Sequence, residues 1–307
     1  MKPHLLLIEP MMPEIEAALD SAYTVHRWQK DALPVDAPIR AIATGGGTGV
    51  PRAVLDALPA LEVITINGIG TDAVDLVECA RRQIAVTVTR GVLTDDVADL
   101  AMALILASLR DLLPGDRLVR DGLWGEQGLP LARKVSGAKL GIVGMGQVGQ
   151  AIAHRAQAFS MQVSYFSRRN LDLPFTPFVN DLVALAAQSD ILVVAASGGA
   201  QSRNLVNREV IEALGPNGLL VNVARGTVVD EQALVAALQE GRLGRAALDV
   251  FVDEPNVPDA LKTMSNVVLQ PHRASATLET RQAMGKLIID NLAAHFAGRP
   301  LLTPVII

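Results

Sequence analysis

The sequence predicts an α/β protein of two domains, each a doubly wound parallel sheet flanked by helices. Three observations predict it. Short apolar runs alternate with helix-spaced stretches along nearly the whole chain, the pattern of strands joined by crossover helices. The chain has 307 residues, enough for two such domains. Residues 139–149 read KLGIVGMGQVG: an apolar run, then Gly144, Gly146 and Gly149 as G-x-G-x-x-G, with helical spacing continuing over 151–159.

That glycine stretch organises the rest. Gly144 permits a tight turn, Gly146 lets backbone approach a pyrophosphate, and Gly149 lets helix pack closely on strand. The helix that follows presents free N–H groups and partial positive charge to phosphates. Strand before and helix after make this a dinucleotide loop rather than a chance match.

Composition sets outer limits. Half the residues are hydrophobic and only 3% aromatic, so the cores are aliphatic. A formal net charge of −5 and the lack of a basic run argue against a nucleic-acid partner. No Cys/His spacing suggests a metal. Cys79 is the single cysteine, which excludes an intrachain disulfide, suits a reducing compartment and reads as a buried structural thiol. The N-terminal apolar run is too short for a signal peptide. The most apolar helix, 97–109, is too short to span a bilayer and carries Asp99. A cytoplasmic protein without a membrane partner is expected.

In order, strands are expected at 5–8, 39–43, 62–66 and 84–88, with helices at 13–19, from Pro51, and at 72–80. A glycine-rich turn occupies 44–49, and Asn67-Gly68-Ile69-Gly70 closes the third strand. Ligands on parallel sheets gather at such strand ends. Thr94 reads as the N-cap of a helix begun by Asp95 and Asp96, continuing through Val97, Leu100, Ala101 and Leu104. Residues 114–134 are polar and glycine-punctuated, either a solvent loop or an arm laid on another subunit; Trp124 either joins that arm or packs locally. From 139 the pattern is strictly βαβ. Strands are expected at 140–144, 162–166, 191–195, 219–223, 246–250 and 267–269, and helices at 148–159, 182–187, 208–214, 231–239 and 278–296. The last helix and the tail 300–307 are expected to return to the first domain. The predicted division is 1–95 plus 285–307 for one domain and 96–284 for the other.

The second strand after the glycines ends in Tyr165-Phe166-Ser167-Arg168-Arg169, with no carboxylate before Asp172. An acidic residue there would hold the ribose of NAD and repel the extra phosphate of NADP. Ser167, Arg168 and Arg169 suit that phosphate instead, so NADP is expected over NAD. Three more residues follow strands of the same domain: Arg225, Glu254 and His272. Singly they could be a surface charge, a turn cap and a satisfied histidine. Together at successive strand ends they describe a site.

With these residues in view, the chain resembles the D-isomer-specific 2-hydroxyacid dehydrogenases, especially the glyoxylate/hydroxypyruvate reductases and plant hydroxyphenylpyruvate reductases. The resemblance lies in NGIGTDAVDL at 67–76, RGVLTDDVADLAMALILA at 90–107, GIVGMGQVGQAIAHRAQAF at 141–159, SRRN at 167–170, the long stretch 207–255, NVVLQPH at 266–272 and HFAGRPLLTPV at 295–305. It implies two Rossmann-like or flavodoxin-like domains around a cleft, and a homodimer. It implies that Arg225 binds the carboxylate of a small 2-keto acid and polarises its keto group, that His272 protonates the keto oxygen, and that Glu254 orients the imidazole and favours its charged form. Gly68, Ile69 and Gly70 would take the other side of the carboxylate. Thr94, Met145, Gln147, Val148, Ser197, Val223, Ala224, Asp249 and Ser275 match cofactor-contacting positions. The implied reaction is NADPH-dependent reduction of glyoxylate, hydroxypyruvate or phenylpyruvate-type acids to D-2-hydroxy acids. Two other readings share the fold: a dinucleotide-sensing corepressor-like protein, and a phosphoglycerate or phosphoerythronate dehydrogenase. The departure at Arg273-Ala274-Ser275 puts an extra charge beside His272, facing either solvent or a polar substrate tail. Side-chain tolerance would depend on loops such as 44–49.

Overall fold

The computed structural model describes residues 2–29 and 37–306 of the chain, so Met1 and Ile307, the outer ends of the predicted first domain, lie outside the described residues. The chain forms two compact units, one from Met1–Leu93 and Ser275–Ile307, the other from Thr94–Ala274. The return to the first unit therefore falls at Ser275 rather than at residue 285.

The first unit contains β1 (His4–Leu7), α1 (Pro13–Ala22), β2 (Thr24–Arg27), β3 (Ile39–Gly45), α2 (Arg52–Ala57), β4 (Val63–Asn67), α3 (Leu76–Arg81) and β5 (Ala85–Val88). All pairings in its sheet are parallel, in the order β2-β1-β3-β4-β5, the flavodoxin-like arrangement. β3 and β4 are buried almost throughout, as strands covered by helices on both faces must be. β2 is a fifth strand beyond the four expected; it carries Thr24, His26 and Arg27 on the half-exposed edge, where an apolar run is not needed. α3 starts at Leu76, not at residue 72. Asp75 caps it by accepting from the Glu78 amide at 2.9 Å.

The second unit opens with α4 (Thr94–Leu109), in which Thr94 is the first helical residue, and α5 (Leu112–Arg120). α5 occupies part of the stretch read as loop or arm. Its Pro114 sits in the first turn, where a missing N–H costs no helical hydrogen bond. Then follow β6 (Lys139–Val143), α6 (Gln147–Ala158), β7 (Gln162–Phe166), α7 (Leu182–Ala187), β8 (Ile191–Val194), α8 (Arg208–Leu214), β9 (Leu219–Asn222), α9 (Glu231–Gln239), β10 (Arg245–Leu248), α10 (Asp259–Thr263) and β11 (Val267–Leu269). The short α10 was not expected. The parallel sheet runs β11-β10-β9-β8-β6-β7, and a bridge from Tyr165 to Phe178 extends its β7 edge. Asp95 and Asp99 of α4 both pair with Arg155 of α6, at 3.0 and 2.5 Å, beside the apolar contact of the two helices.

The chain closes in the first unit with α11 (Leu278–Phe296), capped by Thr277 and packed on α1 and β4. An added Cβ at Gly285 would lie 2.5 Å from the Ile15 side chain, so the two helices meet where no side chain intervenes. The tail pairs antiparallel with β5, with the Val305 amide donating to the Val86 carbonyl at 2.8 Å. Among the described residues no helix is long and apolar enough to cross a membrane.

Candidate active site

The glycine loop after β6 has the shape its spacing requires. Gly144 has φ +96°, and a Cβ there would lie 2.6 Å from the Ala196 backbone. A Cβ on Gly149 would lie 2.1 Å from the Gly144 carbonyl oxygen, so α6 rests directly on the turn. Gly146 has nothing within 4 Å of its Cβ position, leaving open space in front of α6. Met145 is buried beneath the loop, while Gln147 is exposed and Val148 half-buried beside the gap. A dinucleotide pyrophosphate fits this cradle: room above Gly146, and free amides at the start of a 12-residue helix.

After β7, Ser167 is half-buried and Arg168 and Arg169 are exposed. Arg168 Nη1 donates to Gln201 Oε1 at 3.4 Å. The first carboxylate beyond them, Asp172, is occupied locally, accepting from Asn170 Nδ2 at 2.8 Å. Asn170 Oδ1 in turn accepts from the Asp172 amide and from the Tyr165 hydroxyl, each at 2.9 Å. The loop thus holds its one acid in its own turn and presents two guanidinium groups. Sequence reading did not give Asn170 this role, because an Asn–Asp turn lock resembles any polar loop.

Arg225, Glu254 and His272 follow β9, β10 and β11, three adjacent strands of one sheet. His272 Nδ1 lies 2.7 Å from Glu254 Oε2, and Glu254 Oε1 accepts from the Phe251 amide at 2.9 Å. Burial pushes the Glu254 carboxyl up, but the His272 hydrogen bond, the Phe251 amide and the charges of His272 and Arg225 outweigh it and hold it below its ordinary range. The carboxylate is therefore ionised at neutral pH, and Nδ1 donates to it. Nε2 is the ring nitrogen left for a ligand.

Two residues set this geometry from below. Asp249 is 0% exposed; its carbonyl accepts from the His272 amide at 2.8 Å, and its carboxylate oxygens accept from the Arg273 and Ala274 amides at 2.7 and 3.0 Å. Asp249 thereby clamps the backbone that carries His272. The clamp holds His272 at φ +50°, a region a non-glycine residue adopts only under constraint. Asn222, 1% exposed at the end of β9, accepts from the Ala224 amide at 3.0 Å and donates to the Arg225 carbonyl at 2.9 Å, closing the turn that carries the guanidinium. Gly226 follows, where a Cβ would lie 2.0 Å from the Phe251 carbonyl carbon, so the Arg225 and Glu254 loops touch backbone to backbone. Neither Asn222 nor the clamp of Asp249 was legible beforehand; both act on backbone amides and carbonyls that the sequence does not distinguish.

The remaining expected positions are accounted for individually. Val223 and Ala224 are buried under the Arg225 turn, and Ser197 is exposed after β8. Thr94 is half-buried at the start of α4. Ser275 opens the return stretch of the first unit and so does not belong to the dinucleotide-binding unit as expected. Gly68 and Gly70 are half-buried and Ile69 is exposed, following β4 of the first unit. Arg273 is exposed. Trp124 is 78% exposed, which removes the local-packing reading of its side chain. Cys79 is fully buried, and burial pushes its thiol up.

Residues 102–274 match the family model described as D-isomer specific 2-hydroxyacid dehydrogenase, NAD binding domain. The chain is 49% identical over 307 residues to 2-ketogluconate reductase of Gluconobacter oxydans, covering 99% of each chain. It is 46% identical to hydroxyphenylpyruvate reductase of Plectranthus scutellarioides, covering 98% of each. A crystal structure of an NADPH-dependent glyoxylate/hydroxypyruvate reductase from Sinorhizobium meliloti, in complex with NADP and malonate, superposes with a TM-score of 0.94 at 39% identity, covering 99% of this chain and 97% of that one.

Proposed function

The chain belongs to the D-isomer-specific 2-hydroxyacid dehydrogenases, and from that premise we propose that it reduces small 2-keto acids to D-2-hydroxy acids with NADPH. The observation that carries this reading is the His272–Glu254 pair at 2.7 Å, one strand along from Arg225. The Arg225 guanidinium grips the substrate carboxylate in a planar fork and draws electron density from the neighbouring keto oxygen. His272 holds a proton at Nε2 and passes it to that oxygen, while ionised Glu254 accepts from Nδ1 and fixes the ring. The amides of Gly68, Ile69 and Gly70 are proposed as further carboxylate donors. A nicotinamide dinucleotide, when bound, supplies the hydride. Thr94, the Gly144–Gly149 loop and Ser197 are proposed to hold it, with Ser167, Arg168 and Arg169 on its ribose side.

NADPH preference is supported by the two exposed arginines and by the local capture of Asp172. The accepted acids include glyoxylate, hydroxypyruvate and phenylpyruvate-type compounds, and the Gluconobacter relative adds 2-ketogluconate. The protein is further proposed to act as a cytoplasmic homodimer without nucleic-acid or membrane partners. Its single cysteine, fully buried, suits a reducing compartment. The activity is tested by loss of NADPH absorbance on these four acids. Turnover of at least one is expected, with kcat/KM for NADPH at least ~10-fold above that for NADH, as charge-assisted contacts to a phosphate imply. No turnover on any acid contradicts the activity, and an NADH preference contradicts the cofactor assignment.

A further inference from the structure

Glu254 reaches His272 from a loop, because β10 ends at Leu248 and residues 249–254 carry the carboxylate on to the imidazole. The acid is therefore placed only as well as this loop is held. Asp249 fixes the near end through the amides of His272, Arg273 and Ala274. At the far end the chain turns on itself. The Asn256 amide donates to the Asp253 carbonyl at 2.6 Å, and Asn256 Nδ2 donates to Asp253 Oδ2 at 3.1 Å. The middle, Phe251 and Val252, is held from outside, by the segment that follows Arg225.

Two residues of that segment reach it. At Gly226 the backbones meet, since an added Cβ would overlap the Phe251 carbonyl and the Val252 nitrogen. Five residues on, Glu231 opens α9, and its Oε2 accepts from the Val252 amide at 3.1 Å. The preceding amide, of Phe251, donates to Glu254 Oε1 at 2.9 Å. Two consecutive amides thus end on two carboxylates, one from α9 and the other the acid that holds His272. A peptide plane turns only about the dihedrals that flank it. Fixing the Val252 amide therefore restricts the Phe251 amide, and with it the carboxylate that accepts from it.

The base of this brace is itself firm. Val228 and Val229 are buried at 0% and 2% exposure, and Asp230 caps α9 by accepting from the Ala233 amide at 3.0 Å. A negative charge at a helix start is favourable in its own right, which would be reason enough for an acid at Glu231. It does not account for the Val252 contact, because that amide belongs to a different loop.

We propose that Glu231 is a positioning residue for the reduction: it holds the Val252 amide and so keeps the Glu254 carboxylate on His272 Nδ1. This rests on the reading of the chain as a 2-keto acid reductase. Glu231→Ala and Glu231→Gln both remove the charge at the start of α9, but only the first removes the acceptor. With NADPH and a keto acid that wild type reduces, Glu231→Ala is expected to lower kcat ~10-fold at unchanged KM, the scale of one lost hydrogen bond. Glu231→Gln is expected to restore most of that loss. In a Glu254→Ala background, Glu231→Ala is expected to change kcat less than ~2-fold, because the group it positions is already gone. A wild-type kcat in Glu231→Ala, an equal loss in Glu231→Gln, or the full loss repeated in the Glu254→Ala background overturns the proposal and leaves the reductase reading standing. If thermal unfolding shows Glu231→Ala unfolded at the assay temperature, Glu231→Ser, too short to reach Val252, takes its place. If no keto acid is turned over, the reductase reading fails and the brace is judged by Tm alone. Losses of Tm in Glu231→Ala and Glu254→Ala that are less than additive in the double variant then support it, and additive losses overturn it.

Discussion

Two carboxylates beside His272 are driven in opposite directions by their surroundings. Burial pushes Asp249 up, and the amides of Arg273 and Ala274 offset this only in part. Glu254 ends below its ordinary range because its hydrogen bonds and neighbouring charges outweigh its burial. The signs of their contributions to stability follow. The depressed Glu254 contributes stability present above its unfolded pKa and lost as pH falls through its folded pKa. The raised Asp249 does the reverse, since its cost appears as pH rises through its folded pKa, so the wild-type curve alone mixes the two. The difference in Tm between wild type and Glu254→Gln isolates one of them. It is expected to shrink as pH falls from about 7 to about 3, through the carboxylate range. A difference that stays constant over that range contradicts an ionised Glu254 bound to His272. Arg225, Glu254 and His272 were legible in the sequence because their chemistry is carried in their own side chains at strand ends. Asp249 and Asn222 were not, because what they do depends on which backbone groups they reach.

Among the elements, α5 is the anomaly. None of its residues is buried, and Leu112, Leu113 and Val119 are exposed on it. A nine-residue helix with no fully buried residue is marginal in water by itself. The stretch that follows exposes Trp124, Leu129 and Leu131, the last at 99%. A second copy of the chain is the proposed cover. Light scattering at micromolar concentration is expected to give a dimer, and Leu131→Asp to shift it toward monomer without lowering the Tm of the monomer. A wild-type monomer under those conditions contradicts this. The segment shows how far element reading extends. Its glycines and Pro114 suggested loop, and they did not forbid a first turn. An edge strand such as β2 needs no apolar run and is hard to read, whereas β6, β8 and β9 are plain from buried stretches that only a covered sheet requires.

At the scale of the molecule, both units are parallel sheets that place loops at their strand ends, one carrying the glycine turn and the proton-handling pair, the other the turn Asn67-Gly68-Ile69-Gly70 after β4. The alternating pattern made both sheets legible. The exact return to the first unit was not, because residues 275–277 before α11 carry no compositional break. The central claim is that His272 supplies the proton of the reduction. It is tested most directly by measuring kcat of His272→Ala with NADPH and a keto acid that wild type reduces, alongside NADPH binding. The account predicts a fall of ~10²–10⁴-fold in kcat with NADPH affinity retained, the range typical of a positioned general acid. A kcat near that of wild type would contradict it.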